Sequence, residues 1–496
     1  MDRKHDIPEI PVTKGLVFVS GSWHQMGVQY GKQAKDAVRI KCASGIANAV
    51  EYWRRKGTAL EAVQEYQKLL EEKAPQISML WHGIAEGAGL DFTDIGLAYM
   101  DFRKTDMRCS NISAWGQAAA GQKTYCGMNC DEKELVNYYA PTVIAYPDCG
   151  YPFISASGFT CNCVFNTQGL VLMASCGQNA MPEDVGVGLP NCISLILCAV
   201  SCKNAEAAKE KILAERLGPG GGENIHIADK GGKAFVIEHT AARDMVRMAG
   251  DNGEKDYLLA TNHFMIPQME SSNFFGQKHE QWMNSYFRYW SEEQVLVENY
   301  GKIDLELLNN ALGNRRFFAK DLSVLGKKRW KVPEAVRSGW NDLWGGGSQL
   351  AARHTGKFSP EIRTADAKCV FSALIYPERL EFYLLNGCRD KTMSMNPWAT
   401  GVFTKTIMAH SAREVTESVW EEAARRIYEV SCMNDMGDSL KEAKLAYAEG
   451  IYWRNLAICE EDCEGDLELW SHSSSAFLKA QQYAFLNIGE GKCNGF

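Results

Sequence analysis

The segment Arg108-Cys109-Ser110-Asn111-Ile112-Ser113-Ala114-Trp115 and the segment Tyr125-Cys126-Gly127-Met128-Asn129-Cys130-Asp131 both alternate apolar and polar residues. They flank a turn around Gln117 to Gln122, and period-two alternation across a turn reads as a β-hairpin. A cysteine opens the first strand and an aspartate closes the second, so the hairpin brings their ends together. A thiol that a neighbour can orient or deprotonate is a nucleophile for a carbonyl carbon. A structural cysteine and a capping aspartate would explain the same letters, so the hairpin alone leaves both readings open.

Other segments could carry chemistry, and each has a plainer explanation. Gly218 to Gly222 is glycine-rich but lacks the Gly-Lys-Ser/Thr ending of a phosphate loop, and reads as a surface loop. Trp344 to Gly347 reads as a turn. His263 follows Thr-Asn at the end of an apolar strand, where it is either a base or a hydrogen-bonded neighbour. Phe274, Phe275, Trp282, Tyr286, Phe287, Tyr289 and Trp290 have helical spacing, which suits core before a substrate wall. Glu238 reads as a strand end, and Glu460-Glu461-Asp462 as a solvated face.

The elements that must position these groups change character at Cys109. Before it, a short strand at Gly15 to Ser20 leads into helical spacing from Trp23 to Ala43, and helices continue from Gly45 to Lys73 and from Trp81 to Gly89. After it, strands are expected at Cys109–Trp115, Lys123–Asn129, Thr142–Tyr146, Gly158–Phe165 and Gly169–Ser175. Helices follow at Gly188–Val200 and Asn204–Leu217, then strands at Asn224–Asp229, Ala234–Glu238 and Asp256–Ala260. From Gln268 to Leu343 the pattern is helical. Strands return at Ala367–Tyr376 and Leu380–Asn386, and from Ser411 onward helices dominate. Runs of strands followed by paired helices indicate a layered α+β architecture.

Composition bounds the class. The 496 residues are 46% hydrophobic and 23% charged, ordinary for a chain with a large core. A net charge of −8 argues against a general nucleic-acid binder, which needs basic surface. No apolar stretch approaches the ~18 residues of a spanning helix, and the N-terminus has no apolar leader region. The 17 cysteines are scattered without a CxxC pair, so a zinc site of common spacing is not expected. Cys126/Cys130, Cys198/Cys202 and Cys459/Cys463 read as buried free thiols. Abundant thiols without a leader point to a reducing cytoplasm.

The hairpin resembles the start of the mature chain in the acyl-coenzyme A:6-aminopenicillanate acyltransferase family, and more distantly in choloylglycine hydrolases; both are N-terminal-nucleophile hydrolases. Their pattern is a Cys, a Ser or Thr, a hairpin and Gly-x-Asn-x-Asp, matched by Cys109-Ser110 and Gly127-Met128-Asn129-Cys130-Asp131. Further similar segments run in the family's order over residues 15 to 390. They are Gly21 to Gly31, His82 to Gly89, Asn166-Thr-Gln-Gly-Leu170, Gly188-Leu-Pro190, Ala234 to Glu238 and Thr261-Asn262-His263-Phe264.

The resemblance implies a four-layer αββα sandwich with helical N- and C-terminal additions. It implies a pro-segment over 1–108, a catalytic core over 109–410 and a helical extension over 411–496. The peptide bond between Arg108 and Cys109 would be cut by the protein itself, and the two chains would remain associated, with homo-oligomerisation left open. Cys109 would be the nucleophile, its new α-amino group the base, and Asp131 the group that orients them. Asn262 would donate to the oxyanion, and a late arginine, Arg363 before Arg353, would hold the surroundings. Ser175 stands where a second oxyanion asparagine is expected, so its backbone N–H would serve. Met128 replaces the arginine of choloylglycine hydrolases, which argues against bile-salt hydrolysis. The expected activity is hydrolysis of a small N-acyl amide through a thioester, without metal or organic cofactor. Acyl transfer to an amine is the enzymatic alternative, and an uncleaved ligand-binding protein the non-enzymatic one.

Overall fold

The computed structural model describes residues 16–39, 59–99, 108–132, 140–177, 191–215, 222–273, 279–313, 368–385, 404–407 and 438–459, with short pieces between and after these runs. The chain forms strands β1 (Leu16–Gly21), β2 (Arg108–Ala114), β3 (Tyr125–Glu132), β4 (Thr142–Pro147), β5 (Phe153–Ser155), β6 (Cys163–Asn166) and β7 (Leu170–Gly177). It continues with β8 (Gly222–Asp229), β9 (Ala234–His239), β10 (Asp244–Arg247), β11 (Tyr257–Ala260), β12 (Lys368–Tyr376), β13 (Glu381–Leu385) and β14 (Thr404–Ile407). The principal helices are α1 (Trp23–Gln33), α2 (Ala59–Lys73), α3 (Pro75–Ala88), α4 (Phe92–Tyr99), α5 (Asn191–Ser201), α6 (Ala205–Glu215), α7 (His279–Glu298), α8 (Leu305–Leu312) and α9 (Asp438–Cys459).

Two sheets form. One has the order β1-β4-β5-β6-β7-β8-β9-β10 and the other β11-β2-β3-β12-β13-β14. The sheets meet face to face where β2 lies over β7 and β11 over β9. Helices α5 and α6 cover the outer face of the first sheet, along β6 to β9; α7 and α8 cover the second, along β2, β3, β11 and β12. The expected four-layer αββα sandwich is therefore present. Strands buried on both faces explain unbroken apolar sequences such as Thr142 to Pro147, every residue of which is buried.

The short strands β5, β10 and β14 escaped the sequence expectation, and the strand expected over Gly158–Phe165 is confined to Cys163–Asn166. Strands of three or four residues carry too few alternations to be distinguished from loops.

The N-terminal segment is more than a helical addition. Strand β1 pairs with β4 in parallel, Leu16 opposite Thr142 through Gly21 opposite Pro147, across more than a hundred intervening residues. Ser22 then caps α1: its Oγ accepts from the Gln25 N–H at 3.3 Å, while Gln25 Oε1 accepts from the Ser22 N–H at 2.9 Å. Helix α1 crosses α3 at a contact made of glycines. A Cβ on Gly27 would stand 2.2 Å from the Leu80 carbonyl oxygen, and one on Gly83 would stand 2.2 Å from that of His24. Gly31 and Gly87 repeat the contact one turn on. Gly27, Gly31, Gly83 and Gly87 thus serve backbone-to-backbone packing.

Cys42, Cys109, Cys126, Cys130, Cys161, Cys163, Cys192, Cys198 and Cys202 are buried free thiols, and Cys149 is an exposed one. Cys126 and Cys130 lie on one face of a strand, where even spacing gives the alignment that i, i+4 spacing would give in a helix. No helix among the described residues is long and apolar enough to cross a membrane.

Candidate active site

Strand β2 carries Cys109 into the space between the sheets. Alternation sends Cys109, Asn111 and Ser113 toward the first sheet, and Ser110, Ile112 and Ala114 toward α7 and α8. The packing agrees. Cys109 belongs to the core shared with the first sheet, while Ile112 and Ala114 pack with Tyr286, Tyr289 and Leu308 of the helices. In the continuous chain Cys109 is completely buried.

Among the described residues, three side chains from distant segments converge on Cys109. The Cys109 backbone N–H donates to Asn262 Oδ1 at 3.1 Å. Asn162 Nδ2 lies 3.3 Å from Cys109 Sγ and also donates to the Ala174 carbonyl at 2.9 Å. Arg288 Nη1 donates to the Cys109 carbonyl oxygen at 2.5 Å and to Ser110 Oγ at 3.1 Å, while its Nη2 reaches Asn262 Oδ1 at 2.6 Å. Two donors on Oδ1 fix the orientation of the Asn262 amide, so its NH₂ edge faces away from both.

Helix α7 and strands β7 to β9 hold the Asn262 loop. Ser285 Oγ accepts from the Asn262 backbone N–H at 2.8 Å, one turn before Arg288 on the same helix. Ser175 Oγ donates to the Thr261 carbonyl at 2.6 Å, and Asn224 Nδ2 donates to the Thr261 and His263 carbonyls at 2.8 and 2.9 Å. Glu238 accepts from the Met265 and Ile266 N–H groups at 2.9 Å each and from Arg247 Nε at 3.2 Å. Arg247 also donates to the Leu259 carbonyl at 2.5 Å and faces Glu254 at 3.6 Å, tying the two sheets. A buried loop satisfied at this many points is rigid, as an oxyanion donor requires.

His263 is part of this support. It stacks on Tyr286 at 3.6 Å between ring centroids, and its Nδ1 is 2.7 Å from Ser285 Oγ. Burial, with Arg247 and Arg288 nearby, pushes its pKa well below the ordinary histidine value. An imidazole so disfavoured as a cation is a poor proton acceptor. Of the aromatic run around it, Tyr286, Tyr289 and Trp290 are buried against β2 and β11, while the side chains of Phe274, Phe275, Trp282 and Phe287 lie outside the described residues.

The sequence candidates fare unevenly. Cys109 and Asn262 meet. Asp131 pairs with Arg108 in the hairpin register, one residue beyond Cys130, which stands opposite Cys109. A β-bulge between Cys369 and Phe371 lies alongside that point. The side chains of Arg108 and Asp131 lie outside the described residues, as do Arg353, Arg363, Trp344 to Gly347 and the acidic run at 460–462. Among the described residues, the arginine that touches Cys109 is Arg288. It and Asn162 were missed because no local pattern marks them. The one available signal was a lone arginine inside Ser285-Tyr-Phe-Arg-Tyr-Trp290, an otherwise apolar helical face. Ser175 contributes its hydroxyl to the Thr261 carbonyl.

Among the described residues no group of three or more His, Cys, Asp or Glu side chains is placed to hold a metal ion. No curated protein matches the sequence. Among solved structures, a mutant conjugated bile acid hydrolase from Clostridium perfringens is similar at 10% identity and a TM-score of 0.29, covering 60% of this chain and 92% of that one. Penicillin V acylase from Agrobacterium tumefaciens is similar at 10% identity and a TM-score of 0.26, covering 62% and 85%. The segment that carries Asn162, Asn262 and Arg288, residues 119–319, matches the model of the acyl-coenzyme A:6-aminopenicillanic acid acyl-transferase family.

Proposed function

We propose that this chain is a self-cleaving cysteine amidohydrolase of the N-terminal-nucleophile type, with Cys109 as nucleophile and a small N-acyl compound as substrate. The supporting observation is the convergence at Cys109: its N–H is held by Asn262, its sulfur contacted by Asn162, and its carbonyl held by Arg288.

In this reading the Cys109 sulfur first attacks the Arg108 carbonyl carbon. The peptide C–N bond breaks, its nitrogen takes the thiol proton, and residue 108 is left as a thioester on Sγ. Water hydrolyses that thioester, giving a carboxylate at Arg108 and a free thiol and α-amino group at Cys109. An α-amino group with an ordinary pKa of about 7.7–8.0 suits removal of a thiol proton near neutrality. In turnover the thiolate attacks the substrate amide and the Asn262 NH₂ donates to the oxyanion. The amine leaves with the proton, and water releases the acid. An oxyanion donor of this kind contributes about 3–4 kcal/mol. Asp131 orients the amine, and Arg288 takes the part first assigned to Arg363. The segment 1–108 stays bound through the pairing of β1 with β4, and residues 411–496 extend the core. The reaction needs no metal or organic cofactor.

Acyl transfer to an amine in place of water is the second reading, favoured by the description of the matched family. Intact mass and turnover test the proposal together. The 55.3 kDa chain should convert to associated fragments of roughly 12 and 43 kDa. Cys109→Ala should abolish both conversion and turnover of N-acyl amines. Asn262→Ala, assayed in its cleaved fraction, should lower kcat by about 10²–10³ with little change in KM. A chain that stays whole at neutral pH, with Cys109→Ala as active as the parent, refutes the mechanism.

A further inference from the structure

One pleat along β2 from the nucleophile, Asn111 is completely buried, and neither its Oδ1 nor its Nδ2 has a hydrogen-bond partner. It shares the face of Cys109 and Ser113, turned toward the first sheet. Across the interlayer, Ser113 Oγ and His226 Nε2 lie 2.7 Å apart, and Asn224 Nδ2 holds the Thr261 and His263 carbonyls. These two cross-links bracket the stretch beside Asn111. The remaining polar atoms of the same side chains, Asn224 Oδ1 and His226 Nδ1, are also buried without partners. In its own sheet Asn111 is flanked by Ala260 and Met128, a methyl group and a flexible thioether.

More than about nine in ten buried polar groups in folded proteins are paired, because an unpaired one is costly. Four unpaired atoms from three side chains on the facing sides of β2 and β8 indicate an occupant that both donates and accepts hydrogen bonds. We propose that the space bounded by Asn111, Asn224 and His226 is a polar subsite of the Cys109 centre that takes an uncharged hydrogen-bonding group. The donors and acceptors are those of two amides and an imidazole. Burial, with Arg247 nearby, lowers the His226 pKa to about 3, so the imidazole stays neutral. The cation closest in the network, Arg247, is engaged by Glu238 and Glu254.

Two sources supply such a group: an ordered water, or a hydroxyl, oxo or amide function on the substrate. The second deepens the proposed function and rests on Cys109 being the nucleophile. Two residues of extended strand span about 6.4–6.8 Å. A substrate joined to Sγ would therefore reach Asn111 with a polar function about three to five bonds from its scissile carbonyl. Amides of hydroxy-, oxo- or carbamoyl-substituted short acids are then preferred over amides of plain alkyl acids of equal length.

The test uses the full chain, Asn111→Leu and Asn111→Ser, with a high-resolution crystal structure of the unsubstituted protein and matched sets of polar and plain acyl amides. With substrate as the occupant, the ratio of kcat/KM for polar over plain substrates falls at least tenfold in Asn111→Leu and less in Asn111→Ser. With water as the occupant, the ratio is unchanged and the crystal structure shows an ordered water on at least two of Asn111, Asn224 and His226. An unchanged ratio together with a dry interlayer, or with these atoms paired to protein groups, overturns the proposal. If no amide is turned over by any form of the protein, the hydrolase reading fails, and the crystallographic result alone decides the subsite. Should Asn111→Leu not fold, the serine variant carries the comparison.

Discussion

Arg288 joins three groups that the proposed chemistry keeps in register, so its removal should be felt in both self-cleavage and turnover. The residue is buried at 3% exposure, and its guanidinium spans the Cys109 carbonyl and the Asn262 amide oxygen through separate nitrogens. A hydrogen bond to a charged group contributes about 1.5–3 kcal/mol net, so the two short contacts together contribute about 3–6 kcal/mol. At about 1.4 kcal/mol per decade, a loss of that size from the transition state corresponds to a rate reduction of about 10²–10⁴. Arg288→Met removes every contact while keeping much of the volume. Arg288→Lys keeps the charge as a point donor that cannot bridge both oxygens, and should recover only part of the loss. The rates of fragment appearance by mass spectrometry and kcat in the cleaved fraction are the measurements. A thermal melt of each variant separates misfolding from misplacement. An Arg288→Met protein that folds, self-cleaves and turns over within threefold of the parent refutes the positioning argument.

Two other predictions concern stability. Gly83→Ala must push α1 and α3 apart, because the added carbon would meet backbone atoms of His24 and Val28 at 2.2 and 2.9 Å. Overpacking of this kind costs about 1–3 kcal/mol or more, so the melting temperature should fall by several degrees. Gly96→Ala, whose Cβ would meet only the Gln67 side chain at 3.9 Å, should leave it within about a degree. Equal melting temperatures for the two variants would refute the close-contact reading. Acid should destabilise the fold through His226 and His263, both held below the ordinary histidine value by burial. The folded pKa values are the depressed ones, so this stability is complete above the unfolded value near 6.5 and is lost as pH falls, the His226 share toward about 3. Each histidine contributes a slope of at most about 1.4 kcal/mol per pH unit. Urea midpoints between pH 7.5 and 5 should fall with pH, less steeply in His226→Gln, and an identical slope in that variant refutes the assignment.

The sequence was informative where one short segment carries both pattern and chemistry. The hairpin around Cys109 and the Thr261-Asn262 strand end were legible because alternation, turn residues and side-chain type coincide within a few positions. Asn162 and Arg288 meet Cys109 across 53 and 179 residues, through loop geometry and helix rotation that no local period encodes. The parallel pairing of β1 with β4 was hidden for the same reason. The glycines of α1 and α3 were visible, but only the crossing shows that each is needed for its missing side chain.

The place of β1 at the edge of the eight-stranded sheet also bears on how the protein can be made. A recombinant product begun at Cys109 would have the free amino terminus that the proposed reaction calls for, yet it would lack the strand that covers β4. The bared backbone of Thr142-Val-Ile-Ala-Tyr-Pro147 would be an apolar edge without charge, the kind of surface that recruits other chains into aggregates. The leading 108 residues would then act as a built-in folding companion. Supplying them as a separate polypeptide in the same cell should rescue solubility that the truncated product lacks.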